Sequence, residues 1–314
     1  MKGKTGSKSK GKRIIITDGE SGLPYSKGLM ASAFTATGMV PSESYHVAEL
    51  VQDQLKAEGV FSLTTKELTD MVASVLRNEM GKEYAEKYLK WQALSQLDKP
   101  LVVLIGGATG VGKSTVATEV AHRLGIRRIV QTDAIREVMR ALFSYELIPT
   151  LYYSSFAAWK GFRPSLSNES DAVIAAFEEQ VSTITVGLRA VVERAVQESL
   201  NVILEGVHLV PGFIEPSEFK DAFVLQIVIK VDEPRMHKSH FYVRDPGFGS
   251  QRPFKRYLDN FENIRRIGKY IESRAVKNGN PIVPCVSLDA TVSSIMEVVY
   301  NTVFDSENAF TVSS

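Results

Sequence analysis

A glycine-rich stretch about one third of the way along the chain restricts the possible folds more than any other feature. Its eight residues match the G-x-x-x-x-G-K-[ST] pattern of phosphate-binding loops: Gly107, Ala108, Thr109, Gly110, Val111, Gly112, Lys113 and Ser114. The apolar residues 101–105 before it predict a buried parallel strand, and the spacing of residues 115–124 predicts a helix that Gly125 ends. Strand, glycine loop and helix in this order predict binding of a nucleoside triphosphate.

The residue types in this loop account for the predicted chemistry. Glycines let backbone N–H groups turn toward a phosphate, and the N-terminus of the following helix adds partial positive charge. We expect Lys113 to contact the β- and γ-phosphates of ATP as a catalytic residue, and Ser114 to bind Mg²⁺. Thr115 completes the set of residues assigned to ATP.

Composition narrows the class of protein. The chain has 314 residues, 44% of them hydrophobic, so we expect two domains with substantial cores. Its 37 Lys and Arg residues nearly balance 36 Asp and Glu residues, which does not favour a nucleic-acid partner or a membrane surface. A single cysteine, Cys285, cannot form an internal disulfide and indicates a reducing compartment. The sequence has no bilayer-spanning apolar run and no signal-peptide core, so we expect a cytoplasmic protein.

Composition also divides the chain into four parts. Residues 1–13 contain six cations among Gly and Ser and no acid, which predicts a flexible basic tail. Such a tail increases solubility or binds an anionic surface such as RNA, and composition favours the first role. Residues 14–96 predict a small, mostly helical domain, residues 97–305 a larger domain that contains the glycine loop, and residues 306–314 a C-terminal tail.

Apolar periodicity in the small domain predicts one strand and four helices. The strand covers residues 14–16, a turn follows at Asp18 and Gly19, and the helices cover residues 27–37, 41–58, 65–80 and 83–93. Thr64 and Thr65 ahead of Glu67 predict a helix N-cap with an acidic first turn.

Several short motifs of this domain resemble the ATP-cone, a regulatory nucleotide-binding module. They are the strand with its Asp-Gly turn, Pro-Tyr-Ser-Lys at residues 24–27, and Tyr-Ala-Glu-Lys-Tyr at residues 84–88 with Trp91. ATP-cones commonly place Lys-Arg just before the Asp-Gly turn, whereas Ile16 and Thr17 stand there in this chain. Nucleotide binding and a purely structural role are therefore both open for this domain.

The larger domain alternates apolar runs with helical segments. The runs cover residues 101–105, 128–131, 201–204, 224–231 and 282–286. This alternation predicts an α/β fold with a doubly wound parallel sheet of the P-loop NTPase type. By analogy with small P-loop kinases, we expect the strand before the glycine loop to lie beside strand 201–204.

Candidate acceptor-binding residues follow the second of these runs. Asp133 is expected at the carboxyl edge of the sheet, where such folds bind ligands. A carboxylate there orients an acceptor hydroxyl and takes its proton, unless Thr132 or Asp133 only caps the next helix. Arg136 and Arg140 share one helical face and either contact an anionic acceptor or form a surface stripe. Lys160 is a further candidate for contacting the acceptor's negative charge.

An acid and a histidine follow the third run. Glu205 stands where a Walker B carboxylate would, so it can hold Mg²⁺ or position the nucleophile. The sequence leaves open whether Asp133 or Glu205 is the catalytic base. His208 is a candidate for a hydrogen bond to the acceptor, and a structural role is equally well supported.

A basic segment around residue 250 predicts a lid that closes over ATP. Its cations are Arg244, Arg252, Lys255, Arg256, Arg265 and Arg266. Arg244 is the candidate for stabilising the transferred phosphoryl group, and Arg252 and Arg256 are candidates for contacting ATP. The alternative is a solvated basic surface.

Two other features predict structural roles. His237 and His240 lie three residues apart, but no third ligand accompanies them at a recognisable spacing, so we do not expect a metal site. Cys285, beside Pro284 in an apolar run, is expected to be inert packing.

Four motifs together resemble those of archaeal 2-phosphoglycerate kinases. They are GGATGVGKST at residues 106–115, TDAIREVMR at 132–140, LIPTLYYSSFAAWKGF at 147–162 and ILEGVHLVPG at 203–212. The resemblance implies transfer of the γ-phosphoryl group of ATP, with Mg²⁺, to the 3-hydroxyl of 2-phosphoglycerate, giving 2,3-bisphosphoglycerate and ADP. Its partner would be a small phosphorylated molecule, and the sequence does not exclude a homo-oligomer.

Three other functions stay open on the sequence alone. A kinase for another phosphorylated metabolite, such as an inositol phosphate, would share these motifs and differ in the acceptor pocket. A non-enzymatic adenine-nucleotide sensor would bind ATP without turnover that depends on an acceptor. An RNA-processing kinase would use the basic tail and show salt-dependent affinity for RNA.

Overall fold

The computed structural model describes residues 13–18, 21–162, 171–243 and 254–311. Most of the predicted basic tail, residues 1–12, and the turn residue Gly19 lie outside these ranges. The chain divides into two compact units, and the division falls between Gln96 and Leu97. Among the described residues, none of the helices combines the length and the apolar character that a bilayer crossing requires.

The first unit combines a small sheet with four helices. Its elements are β1 (Ile15–Asp18), β2 (Ser21–Pro24), α1 (Lys27–Ala36), α2 (Pro41–Ala57), β3 (Ser62–Thr64), α3 (Thr65–Glu79) and α4 (Lys82–Ser95). In the sheet, β1 lies between β2, which is antiparallel to it, and β3, which is parallel to it. The four predicted helices are confirmed to within two residues at each end.

One predicted cap is confirmed and two strands were missed. The Thr64 hydroxyl accepts a hydrogen bond from the Glu67 amide, and the Glu67 carboxylate accepts one from the Thr64 amide, which makes a capping box for α3. Strands β2 and β3 were not predicted, because Ser-Gly-Leu-Pro and the three residues of β3 are too short or too poor in β-branched residues to show periodicity.

The second unit is an α/β fold. Its strands are β4 (Leu101–Gly106), β5 (Ile129–Gln131), β6 (Val202–Glu205), β7 (Phe223–Lys230) and β8 (Ile282–Pro284). Its α-helices are α5 (Lys113–Leu124), α6 (Thr132–Leu142), α7 (Ala172–Gln197), α8 (Pro234–Val243), α9 (Phe254–Asp259), α10 (Phe261–Lys277) and α11 (Leu288–Thr311). Short 3-10 helices cover Pro149–Tyr152, Ser155–Lys160 and Pro216–Glu218.

All five strands are parallel and follow the order β5-β6-β4-β7-β8. Every residue of β4 is buried, as expected for a parallel strand that is covered on both faces. Ile184, Leu188 and Val192 of α7 share one core cluster with residues of β4 and β6. The predicted α/β parallel sheet and the pairing of β4 with β6 are confirmed.

Two elements near the C-terminus differ in extent from the sequence pattern. Helix α11 continues to Thr311 and so includes residues 306–311 of the predicted C-terminal tail, where the sequence has no Gly or Pro to end the helix. The domain boundary at residue 305 stays a prediction. Strand β8 ends at Pro284, so Cys285 lies just after the strand and is only half-buried.

Candidate functional site: the glycine loop and the carboxyl edge of the sheet

The glycine loop connects β4 to α5 at the carboxyl edge of the sheet. Gly107, Gly110 and Gly112 have φ angles of 140°, 88° and 93°, which side chains with a Cβ rarely adopt. Lys113 is only 6% exposed, and its Nζ donates a hydrogen bond to the carbonyl oxygen of Ala108 at 2.7 Å. The loop therefore curls around an ammonium group at a helix N-terminus, an arrangement suited to a phosphate chain.

A hydroxyl and a carboxylate meet beside this loop. The register of β4 and β6 pairs Ile105 with Glu205, so Glu205 ends its strand next to the loop. Glu205 is 4% exposed, and its Oε1 accepts a hydrogen bond from the Ser114 hydroxyl at 2.7 Å. Both are oxygen ligands of the kind that Mg²⁺ prefers, so the residues fit the predicted metal site.

Asp133 lies near the same edge. The register of β5 and β6 pairs Gln131 with Glu205, and α6 begins at the next residue. The N-cap of α6 is Gln131, so neither Thr132 nor Asp133 caps the helix. The Asp133 side chain is 50% exposed, and its Oδ1 lies 3.6 Å from Nε of Arg136. Asp133 therefore presents a half-exposed carboxylate just after β5, the strand that pairs with β6, where Glu205 belongs to the candidate metal site.

Arg136 is engaged within the protein. Its Nη1 donates to the carbonyl oxygens of Leu151 and Tyr153 at 3.2 and 3.0 Å, and its Nη2 contacts the Glu137 carboxylate at 2.8 Å. The side chain is buried. The guanidinium therefore holds the main chain of residues 151–153 in place. Contact between Arg136 and an acceptor stays a prediction.

The other predicted acceptor cation lies on the surface. Lys160 is exposed, and its Nζ lies 5.8 Å from the centre of the Trp159 ring. Within the part of the chain that the structure describes, it forms no ion pair. Its role toward an acceptor stays a prediction.

His208 belongs to a closed chain of hydrogen bonds. Gln180 donates through Nε2 to the carbonyl oxygens of Thr150 and Tyr153, so its Oε1 accepts from Nε2 of His208 at 3.1 Å. Nδ1 of His208 then accepts from the Thr132 hydroxyl at 2.9 Å. Burial is the main reason that the pKa of His208 falls from 6.5 to about 4, so the ring is neutral.

Of the two roles that the sequence left open for His208, these contacts support the structural one, and contact with an acceptor stays a prediction. Both ring nitrogens are occupied inside the protein, and the residue is 1% exposed. His208 ties the start of α6 to α7. Gly206 makes the approach possible, because a Cβ at this position would lie 1.8 Å from the Thr132 hydroxyl oxygen.

The predicted lid cations separate into two groups. Arg244 and Arg252 lie outside the described residues, and their roles stay predictions. Among the others, Arg265 donates to the carbonyl oxygens of Val231 and Asp232, and Arg266 pairs with Asp171. Arg256 and Lys255 are exposed, and Arg256 donates to the Ser154 hydroxyl at 2.9 Å. Contact between Arg256 and ATP stays a prediction.

Sequence reasoning missed the surroundings of the glycine loop. His237 Nε2 donates to the carbonyl oxygen of Thr109 at 2.8 Å, and His240 Nδ1 donates to that of Gly110 at 2.9 Å. A Cβ at Gly112 would lie 3.4 Å from Sγ of Cys285. The spacing of the two histidines on one helical face was the only signal in the sequence, and it did not identify their partners.

Comparison with known proteins identifies the family. No protein-family model matches the chain. A 2-phosphoglycerate kinase of Methanothermobacter thermautotrophicus is 41% identical over 279 residues, covering 89% of this chain and 91% of that protein. The 2-phosphoglycerate kinase of Thermococcus kodakarensis is 42% identical and covers 90% and 96%, and that of Methanopyrus kandleri is 38% identical and covers 94% and 89%.

Solved structures overlap more weakly. A gluconokinase from Sinorhizobium meliloti aligns with 69% of this chain and 99% of its own, at 13% identity and a TM-score of 0.40. An overlap at that score carries no weight for function, and the P-loop fold follows from the loop and strand order described above. The identities over nine-tenths of the sequence decide the family: the chain belongs to the archaeal 2-phosphoglycerate kinases.

Proposed function

We propose that this protein transfers the γ-phosphoryl group of ATP to the 3-hydroxyl of 2-phosphoglycerate, giving 2,3-bisphosphoglycerate and ADP. The names of the relatives support the acceptor. The observation that carries the phosphoryl-transfer chemistry is the contact between Ser114 and Glu205 beside the buried Lys113. A cytoplasmic location, a homo-oligomeric state and nucleotide binding by the first unit stay predictions.

Different residues of the site bind the phosphates of ATP and the metal ion. The loop amides and the Lys113 ammonium bind the phosphates, and the ammonium stabilises negative charge on the transferred group. Ser114 and Glu205 would hold Mg²⁺, which neutralises charge on the β- and γ-phosphates when it is bound. The hydrogen bond to the carbonyl oxygen of Ala108 holds the Lys113 ammonium in the loop before ATP binds. The ammonium therefore needs little rearrangement to contact the phosphates.

The geometry favours different roles for the two acids. Glu205 is buried and hydrogen-bonded to Ser114, which suits the metal side of the site. Asp133 is half-exposed near the same sheet edge, which suits a base that meets the acceptor hydroxyl. We therefore assign Asp133 to orienting the hydroxyl and taking its proton, and Glu205 to Mg²⁺.

The test is acceptor-dependent turnover by the full chain. Purified protein is incubated with Mg·ATP and 2-phosphoglycerate, ADP is measured by a coupled assay, and the product is identified by ³¹P NMR. We expect 2,3-bisphosphoglycerate with the unaltered chain and none with Lys113→Ala. Other acceptors, including 3-phosphoglycerate and inositol phosphates, run in parallel. If one of these acceptors is phosphorylated and 2-phosphoglycerate is not, the proposed acceptor is wrong. Tight ATP binding without acceptor-dependent turnover favours the nucleotide sensor.

A second pair of variants tests the two acids. We expect Asp133→Asn to lower kcat by about 10²-fold or more with little change in ADP affinity. We expect Glu205→Gln to raise the Mg²⁺ concentration needed for half-maximal activity. If the two effects are exchanged, our assignment of the acids is reversed.

A further inference from the structure

Two histidines of α8 contact the glycine loop from outside. His237 and His240 donate to the carbonyl oxygens of the consecutive loop residues Thr109 and Gly110, at 2.8 and 2.9 Å. A carbonyl oxygen only accepts hydrogen bonds, so the proton lies on Nε2 of His237 and on Nδ1 of His240. The pair therefore presents two N–H donors, three residues apart on one helix, to two adjacent peptide groups.

The geometry of the peptide bond gives these contacts a consequence for the loop. A trans peptide group is planar, so its C=O and N–H bonds point in opposite directions. The Thr109 carbonyl shares a peptide group with the Gly110 amide, and the Gly110 carbonyl shares one with the Val111 amide. Holding both carbonyls toward α8 therefore turns both N–H groups away from α8.

These two amides have no backbone acceptor of their own in the part of the chain that the structure describes. Within the described residues, neither the Gly110 amide nor the Val111 amide donates to a backbone carbonyl. They belong to the turn of the loop that ends at the N-terminus of α5. Amides in such a turn bind phosphate oxygens when their N–H groups converge, so their direction matters for affinity.

Helix α8 packs closely enough to act on the loop. A Cβ at Gly110 would lie 2.4 Å from the Phe241 ring and 3.2 Å from Nε2 of His237. His237 is 1% exposed and is held between Phe241, stacked at 5.5 Å between ring centres, and Phe261, edge-on at 5.3 Å. The His237 ring has little freedom to turn, so the position of its donor is fixed.

We propose that His237 and His240 are positioning residues, which hold the Gly110 and Val111 peptide groups so that their amides face the phosphates of the nucleotide. The inference rests on nucleotide binding by the loop, which is one part of the proposed function, and not on the identity of the acceptor. Removal of either donor lets its peptide group rotate, and the nucleotide must then order that group when it binds. The loss falls on nucleotide affinity and leaves the acceptor site unaffected.

Amide side chains supply matched variants. Gln places an amide nitrogen near the position of Nε2 of a histidine, and Asn places one near the position of Nδ1. His237→Gln and His240→Asn therefore keep the donor, whereas His237→Leu and His240→Leu remove it at similar volume. Ser239→Ala is a control on the same helix, because the Ser239 hydroxyl donates to the carbonyl oxygen of Met236 and does not contact the loop.

The experiment measures Mg·ADP binding to the full chain by isothermal titration calorimetry, without any acceptor. We expect each Leu variant to raise the Kd for Mg·ADP about five- to tenfold, the loss of one oriented hydrogen bond. We expect His240→Asn, His237→Gln and Ser239→Ala to stay within about twofold of the unaltered chain. In the kinase assay the Leu variants raise KM for ATP, while kcat at saturating ATP and KM for the acceptor stay nearly unchanged.

Two results would overturn the proposal. One is that the Leu variants bind Mg·ADP as tightly as the unaltered chain, although cooperative thermal melting shows that they are folded. The other is that the donor-keeping variants lose as much affinity as the Leu variants, which indicates packing and not orientation. If His237→Leu does not fold, the test rests on the half-buried His240, and the Kd values of His240→Leu and His240→Asn are compared. If the variants show the expected pattern of Kd values but the unaltered chain does not phosphorylate 2-phosphoglycerate, the proposed acceptor is wrong. The positioning role of the two histidines is then still supported.

Discussion

Replacing His208 by Gln should remove the contribution that this buried histidine makes to the pH dependence of the protein's stability. The unfolded chain has a histidine pKa near 6.5, whereas burial holds the pKa of His208 in the folded protein at about 4. Between these values the unfolded state binds more protons than the folded state. Stability is therefore complete above pH 6.5 and falls as the pH decreases toward 4.

The size of the effect follows from the two pKa values. Proton linkage between 6.5 and about 4 gives a loss of about 2 kcal/mol at pH 5 relative to pH 8. The loss approaches about 3 kcal/mol below the folded-state pKa of about 4. His237 is also shifted to about 4 by burial, so the chain loses stability from more than one histidine in this range.

The assay compares urea unfolding of the two chains at pH 8 and pH 5. The sequence has two tryptophans, Trp91 and Trp159. Both chains carry Trp91→Phe, so that the fluorescence comes from Trp159 and reports on unfolding of the second unit. Groups that titrate in both chains cancel in the comparison, and His208→Gln should lose about 2 kcal/mol less than its parent between the two pH values. His122→Gln, at an exposed histidine of α5, should behave like the parent. Parallel losses in His208→Gln and its parent would refute the reasoning.

Three further changes have defined outcomes. Gly206→Ala places a Cβ 1.8 Å from the Thr132 hydroxyl oxygen and should destabilise the second unit by at least about 2 kcal/mol in urea unfolding, whereas Gly59→Ala, which meets no atom within 4 Å, should cost only about 1 kcal/mol. Thr64→Ala removes the capping box of α3 and should destabilise the first unit by about 1 kcal/mol, monitored by its own tryptophan; an unchanged midpoint contradicts the cap. Ser114→Ala should raise the Mg²⁺ concentration for half-maximal turnover about tenfold in a metal titration, and an unchanged requirement removes Ser114 from the metal site.

Local patterns predicted the main elements because each element carries its own signal. The β-branched residues of β4 and β7 and the apolar spacing of α2 and α3 are readable without knowledge of the rest of the chain. Strands β2 and β3 have three or four residues and form only because β1 offers them hydrogen-bond partners. Their existence is a property of the assembled sheet, so periodicity could not predict it.

The candidate site was predictable where topology alone decides position. The end of a strand beside the glycine loop is a general place for an acid, and Glu205 does lie against Ser114. Arg136 and His208 were assigned to the acceptor because their residue types suit an anion or a hydroxyl. Their partners are the main chain of residues 151–153 and the side chain of Gln180, which are distant in sequence. Residue type shows what a side chain can bind, but not which group reaches it first.

The histidines of α8 show which additional information would have been sufficient. Their acceptors are main-chain carbonyls 128 and 130 residues away, and every residue has a carbonyl, so spacing within the helix does not identify the partner. The strand order does, because β7 pairs in parallel with β4 and places Val228 opposite Gly106. The segments that follow these two strands must then leave the sheet side by side, and they are the glycine loop and α8. Knowing that β7 borders β4 on the side away from β6, a reader of the sequence would expect two donors on α8 to meet the loop.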